Sequence, residues 1–357
     1  MSIIKDAVQG YTEYVKEVEE LNDINVQPKY NDVPFDTAYT VVEGVKEKRK
    51  VGFMDRMAKA TIKDTGCAEP TNNYDVADSE KEWNPQRLEF ATKMCYANFE
   101  ATFLRRKLGN GKNANDLTQS DVIDFVINDI ISEGLYEDRK RIAEFADTAI
   151  VSGSLTNGAA DVPNYDQIDA IWKQIFAEVN GGSATSTALA AANAEATTAA
   201  QLTALKSGDA NGAISNAVFT GLAEEADSRI FNGNEMFMVS RSVLMNYKRY
   251  LRSFGTEIAN QVVIDGRPFY SFDGIPIVEM KDWDRNIKAD FETSGALDLP
   301  HRAILTTKDQ LQIATDSISA IDDVELWYDG KTKDITIRVQ YLMDALIMRP
   351  ELIAAAY

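Results

Sequence analysis

Ile4, Ala7, Val8, Tyr11, Val15 and Val18 recur at helical spacing, so residues 3–21 are predicted as an amphipathic helix with Lys and Glu on its other face. The period is lost beyond it, where Pro28 and Pro34 interrupt the chain. It returns over 84–108: Leu88, Met94, Phe99 and Phe103 form a broken apolar stripe, and Asn84-Pro85 reads as an N-cap and first-turn proline. After the loop LGNGKNAND, a helix restarts at Ser120 with Ile123, Val126, Ile127, Ile130 and Ile131 on one face. It continues through Ile142, Phe145 and Ile150, interrupted only near Gly134.

The turn-rich SGSLTNGAADVPN precedes a helix over 165–179, and the Ala/Thr-rich 188–205 is predicted as one further helix with a small-residue face. AISNAVFTGLAEEADSRIF is helical, and NEMFMVSRS is a short apolar strand ending in a serine able to cap the helix VLMNYKRYLRSFGTE. The last third is rich in strands. DGIPIVEMK and HRAILTTKDQLQIATD are apolar runs between turn signals, and Val324, Leu326 and Tyr328 alternate before Asp329-Gly330 as Ile335, Ile337, Val339 and Tyr341 do after it. The whole reads as α+β, with no repeat that would suggest a solenoid or propeller.

With 45% hydrophobic residues over 357 positions, the chain can bury one large core or two ordinary ones. Its net charge of −19 repels nucleic acid on average, which disfavours a sequence-reading DNA-binding protein but not one that encloses DNA. Cys67 and Cys95 form no CxxC pair, which fits free thiols and a reducing compartment. The start lacks a basic region followed by an apolar core, and no apolar run reaches the ~18 residues of a membrane helix, so a soluble, unexported protein without membrane contact is expected.

Within this acidic chain, Lys46, Lys48, Arg49, Lys50, Arg56, Lys59 and Lys63 form one basic band, a candidate contact with the acidic surface of another copy. The other candidates are weaker. GNGK at 109–112 lacks the glycine spacing and following Ser/Thr of a phosphate loop. Asp64-Thr65-Gly66 matches the aspartic-protease triplet, but a second triplet is missing, so such a site needs a homodimer. Asp282, Asp284 and Asp290 near Trp283 lack calcium-loop spacing and read as a solvated acidic loop. The single histidine, His301, has no nucleophile marked beside it and reads as structural or exposed. No catalytic, cofactor-binding or metal-binding residue is assigned.

NEMFMVSRSVLMNYKRYL, FDGIPIVEMKDWD, HRAILTTKDQLQIATD and VELWYDGKTKDITIRVQYLMDALIMRPELI, in that order over 235–353, resemble the major capsid proteins of tailed bacteriophages, with the Hong Kong 97-like fold that encapsulins share. In this reading Gly274 and Pro276 mark a turn feeding a buried strand of Ile275, Ile277 and Val278. The resemblance implies an N-terminal arm at 1–40, an extended loop at 41–93 holding the basic band, and a peripheral domain with a spine helix at 94–164. It further implies an axial domain at 165–320 and a C-terminal hairpin and closing strand at 321–357 that return to the peripheral domain. The Ala/Thr-rich segment at 184–206 has no family counterpart, and no cross-linking Lys and Asn pair is transferred.

The resemblance also implies a non-enzymatic subunit that forms hexamers and pentamers of an icosahedral virion capsid, assembled in a host bacterial cytoplasm around double-stranded DNA. Portal, scaffolding or decoration proteins are its implied partners. Two alternatives stay open: an encapsulin-type compartment, and a homodimeric hydrolase using Asp64.

Overall fold

The computed structural model describes residues 33–54, 78–95, 132–179, 186–255, 261–264, 267–316, 324–329 and 334–357. The chain divides into a larger unit, 33–90, 140–325 and 338–357, and a smaller one, 1–32, 91–139 and 326–337. The predicted helix at 3–21 and the start of the tract at 120–131 lie outside the described residues.

A helical turn, Phe35–Ala38, leads into β1 (Thr40–Glu43). β2 (Arg49–Met54) and β3 (Asp78–Trp83) then pair antiparallel as a two-stranded ribbon. The helix predicted over 84–108 is overturned where the chain is described, because β4 (Gln86–Cys95) is a strand. Leu88 is buried and Phe90 and Thr92 half-buried, while Arg87, Glu89, Ala91 and Lys93 are exposed, which is a period of two. Pro85 reinforces this, since the residue before a proline is held extended.

α1 (Ser132–Phe145) contains Gly134 without interruption and ends before Ile150. Three 3₁₀ turns between Ser152 and Asn164 follow the predicted turn-rich stretch. α2 (Ile171–Glu178) is shorter than predicted and buries Ile171, Trp172 and Ile175. The Ala/Thr-rich segment is two helices, α3 (Ser186–Asn193) and α4 (Thr198–Ala204). Thr197 separates them: its hydroxyl accepts the Ala200 N–H at 3.2 Å and so starts a new helix.

α5 (Ala213–Glu225), β5 (Glu235–Val239) and α6 (Arg241–Phe254) follow the predicted order. Ser240 occupies the N-cap position of α6, yet its hydroxyl accepts the Arg302 N–H at 3.2 Å and caps nothing in the helix. β6 (Gln261–Ile264), β7 (Arg267–Phe272) and β8 (Ile275–Glu279) are followed by α7 (Lys281–Asp290), which replaces the predicted acidic loop. Trp283 and Ile287 bury one face of α7, with Asp282 and Asp284 in its first turn and Lys288 in its last, the arrangement the helix dipole favours. The short β9 (Glu292–Thr293) and β10 (Ala296–Leu297) pair with each other. The remaining strands are β11 (Ala303–Thr307), β12 (Leu311–Thr315), β13 (Val324–Asp329), β14 (Asp334–Ile347) and β15 (Ala354–Ala356).

One sheet has the order β15-β11-β5-β8-β7-β6. β5 and β11 pair inside it, and Met236–Val239 and Ala303–Leu305 are continuous apolar runs because both faces are covered. β7 and β8 are joined by Asp273 and Gly274, both at positive φ (49° and 85°), between Phe272 and its partner Ile275. That two-residue turn matches the strand twist, and Asp-Gly is the pair that accepts it. Phe219 of α5, Tyr247 of α6 and Phe237 and Phe272 of the sheet form an aromatic centre; Phe219 lies 4.9 Å from Phe237 and 5.0 Å, edge-on, from Tyr247. In a second sheet β1 runs parallel to β12, which pairs antiparallel with β14 from Leu311↔Ile347 to Thr315↔Met343. β13 neighbours β14, as the alternation around Asp329-Gly330 predicted. Among the described residues no helix is long and apolar enough to cross a membrane.

Candidate assembly surface

The basic band is only partly within the described residues: Lys46 and Lys48 precede β2, Arg49 and Lys50 begin it, and Arg56, Lys59 and Lys63 lie outside. All four described cations are exposed. Across the ribbon Arg49 stands opposite Trp83, Lys50 opposite Glu82 and Gly52 opposite Glu80. Lys50 Nζ reaches diagonally to Glu80 Oε2 at 2.6 Å, and Lys48 Nζ approaches Glu82 Oε1 at 3.9 Å. The band is thus joined to carboxylates of its own chain, and the ribbon is a mixed-charge surface. The acidic alternation in DSEKEW was the sequence signal for this, legible only once β3 is paired with β2.

The ribbon is held by contacts along its length. Trp83 is buried with Val45 and Ala314, and Val42, Val51, Leu346 and Met348 pack against them. The Asn84 N–H donates to Asp344 Oδ2 at 2.7 Å, and Lys81 Nζ lies 2.5 Å from Glu178 Oε2. The Arg349 guanidinium sits over the Phe53 ring, 5.2 Å from its centre. At the far end Met54 is 70% exposed, an apolar side chain displayed to solvent.

The other candidates do not converge. Asp64, Cys67 and the GNGK loop lie outside the described residues. Asp284 accepts the Arg241 N–H at 2.8 Å and so caps α6, while Asp290 accepts the Tyr165 hydroxyl at 2.5 Å. Burial pushes the Asp284 carboxyl up to about 6. No group of three or more His, Cys, Asp or Glu able to hold a metal occurs among the described residues. His301 is fully buried, and Asn193 clasps its backbone by accepting the His301 N–H and donating to its carbonyl, each at 2.9 Å. Its Nε2 lies 2.9 Å from the Gln201 carbonyl, so that nitrogen carries the proton, and Nδ1 accepts the Ser242 hydroxyl at 2.6 Å. Burial lowers the imidazole to about 4 and keeps it neutral.

The sequence reading missed a buried ionic group. Lys140 and Glu144 lie one turn apart on α1, and Asp282 lies in the first turn of α7; they are 1%, 0% and 0% exposed. Lys140 Nζ is 2.8 Å from Asp282 Oδ2, and the buried Tyr39 hydroxyl donates to Glu144 Oε1 at 2.7 Å. Burial first, and then the charge of Asp282, holds the Glu144 carboxyl well above the usual range. Trp283, next to Asp282 on α7, is buried edge-to-face with Trp172 of α2, their ring centres 4.9 Å apart.

No family model matches the chain, and no curated protein matches it in sequence. Solved structures do. A structure from Gordonia phage Cozz is 12% identical, with a TM-score of 0.53 over 94% of this chain and 90% of that one. The fold is Hong Kong 97-like. The mature capsid of bacteriophage PhiM1 aligns at 12% identity and TM-score 0.49, over 94% of this chain and 89% of that one. An encapsulin complex from Synechococcus elongatus aligns at 9% identity and 0.45, over 96% and 94%. In this Hong Kong 97-like chain, the segments NEMFMV, GIPIVE and AILTT that carried the resemblance are β5, β8 and β11 of a single sheet.

Proposed function

We propose that the chain is a structural, non-enzymatic subunit of an icosahedral capsid, the major capsid protein of a tailed phage, which closes shells of hexamers and pentamers around double-stranded DNA. The observation that supports it most is a Hong Kong 97-like fold carrying an exposed two-stranded ribbon whose Trp83 is buried in a small apolar cluster. Such a ribbon suits a subunit that must reach a neighbour in two symmetry settings. In this reading residues 41–93 are the extended loop, 94–164 the peripheral domain with α1 in its spine, 165–320 the axial domain, and 321–357 the closing segment. Residues 1–40 are the arm. Lys46, Lys48, Arg49, Lys50, Arg56, Lys59 and Lys63 contact the next subunit as part of a mixed-charge edge. The net charge of −19 suits a wall against which DNA moves with few neutralised phosphates. Portal, scaffolding or decoration proteins complete the virion, which assembles in the host cytoplasm.

Negative-stain electron microscopy of the protein, expressed alone and with its neighbouring genes, tests this. Closed shells, or hexamers and pentamers, are expected, and DNA inside them identifies the virion. A small soluble oligomer under every condition overturns the assignment.

A further inference from the structure

The buried group on α1 and α7 has the composition of a condensation site. Lys140 Nζ lies 2.8 Å from an Asp282 oxygen, and one C–O bond adds about 1.23 Å, so Asp282 Cγ is no more than about 4 Å from the amine. Glu144 stands beside both, because it shares the α1 face with Lys140 one turn away and approaches Asp282 within hydrogen-bonding reach. With both carboxyls ionised, Glu144 Oε2 and Asp282 Oδ1 have no hydrogen-bond donor, so a proton belongs between the two acids. Tyr39 fixes the other Glu144 oxygen.

The geometry points to an intrachain isopeptide bond, in which Lys140 Nζ condenses with Asp282 Cγ while Glu144 relays the proton. The ammonium first passes one proton to the Asp282 carboxylate, leaving a neutral amine and a carboxylic acid. Protonated Glu144 donates to one Asp282 oxygen and polarises the carbonyl. The Nζ lone pair attacks Cγ and forms the C–N bond; Glu144 takes the surplus amine proton, the C–OH bond breaks, and water departs. One ammonium and one carboxylate thus become one amide and one water, with no oxidant or cofactor.

Three physical features favour this over a lasting ion pair. Burying an ammonium and a carboxylate carries a desolvation cost that condensation removes, since both charges disappear. In water, ionisation of the separated groups opposes amide formation, but neither group here is solvated. Fixing the partners 2.8 Å apart, on two helices, gives the high effective concentration that a bimolecular condensation lacks. The product ties α1 to α7 across a long stretch of chain, a use that a shell under internal load would have for it.

The test is the intact mass of the full chain, purified folded and then denatured. The expected mass is one water below that of the sequence, with a branched peptide joining Lys140 to Asp282 and no tryptic cleavage after Lys140. Glu144→Gln and Lys140→Arg should restore the full mass. Should either fail to fold, Asp282→Asn gives a second reading: the same bond forms with loss of ammonia, and the variant is lighter than its own sequence by that amount. A wild-type chain at full mass, or a water lost at any other pair of residues, overturns the proposal; a Glu144→Gln chain that condenses as the wild type does overturns the role of Glu144.

Discussion

Lys50 Nζ meets Glu80 Oε2 at 2.6 Å on the diagonal of the β2–β3 ribbon, so among the described residues of the basic band the shortest ion pair is made inside its own chain. Both groups are solvent-exposed, and exposed pairs contribute little to folding. The pair instead sets the charge pattern that the ribbon shows to another subunit. Lys50→Glu is expected to leave the melting temperature unchanged and to lower particle yield, and the swap Lys50→Glu with Glu80→Lys should recover it. Yield that stays low in the swap would mean that Lys50 meets a partner outside this ribbon.

Trp83 anchors the ribbon through burial against Val45 and Ala314. Trp83→Ala should cost about 3–5 kcal/mol in urea unfolding, the usual loss for a large buried aromatic side chain. Its local signature is protease cleavage within 49–83 at concentrations that leave the wild type intact. An unchanged cleavage pattern would show that Asn84 and Lys81 hold the ribbon without the indole.

The six-stranded sheet was legible because its strands are apolar runs with local turn chemistry: Met236 to Val239, Asp273-Gly274, and Ala303 to Thr307 each declare themselves over a few residues. The strand β4 was misread because Leu88, Met94, Phe99 and Phe103 mimic a helical stripe, while the period of two is set by a partner strand more than two hundred residues away. The break at Thr197 went unseen for a related reason, since good helix formers on both sides outweigh one capping hydroxyl in any averaged propensity. Asp282, Asp284 and Asp290 were grouped as an acidic loop, but a helix sends them to three separate partners. The cluster of Tyr39, Lys140, Glu144 and Asp282 joins segments separated by more than one hundred residues, and only the Lys140/Glu144 spacing is visible in sequence.

Between pH 6.5 and 4 the buried His301 and the half-buried Asp284 act in opposite directions. His301, lowered from 6.5 to about 4, contributes stability that is present above 6.5 and lost as pH falls, about 3 kcal/mol in total. Asp284, raised from 3.8 to about 6, contributes stability that is present below 3.8 and lost as pH rises through 6, again about 3 kcal/mol. The two offset each other over the shared window. Relative to wild type, His301→Gln should therefore gain stability on acidification from pH 6 to 4, and Asp284→Asn should lose it more steeply. Urea unfolding at half-unit steps of pH measures both, and parallel curves for the two variants would contradict the assignment.

Gly212 precedes α5 at φ 72°, close against the backbone of α6. A β-carbon there would lie 2.2 Å from the Asn246 carbonyl oxygen and 2.5 Å from the Tyr250 nitrogen, both backbone atoms that cannot swing aside. The contact also places Asn246, fully buried, where its side chain accepts the Ser215 N–H at 3.0 Å and donates to the Leu205 carbonyl at 3.0 Å. Gly212→Ala therefore combines left-handed strain with forced separation of two helices that cover the aromatic centre, and should cost about 2–5 kcal/mol. Because the separation would also stretch the Asn246 hydrogen bonds, amide exchange at Ser215 should quicken by more than the global loss of stability explains. Exchange that follows global unfolding alone would place the whole penalty in the backbone of residue 212.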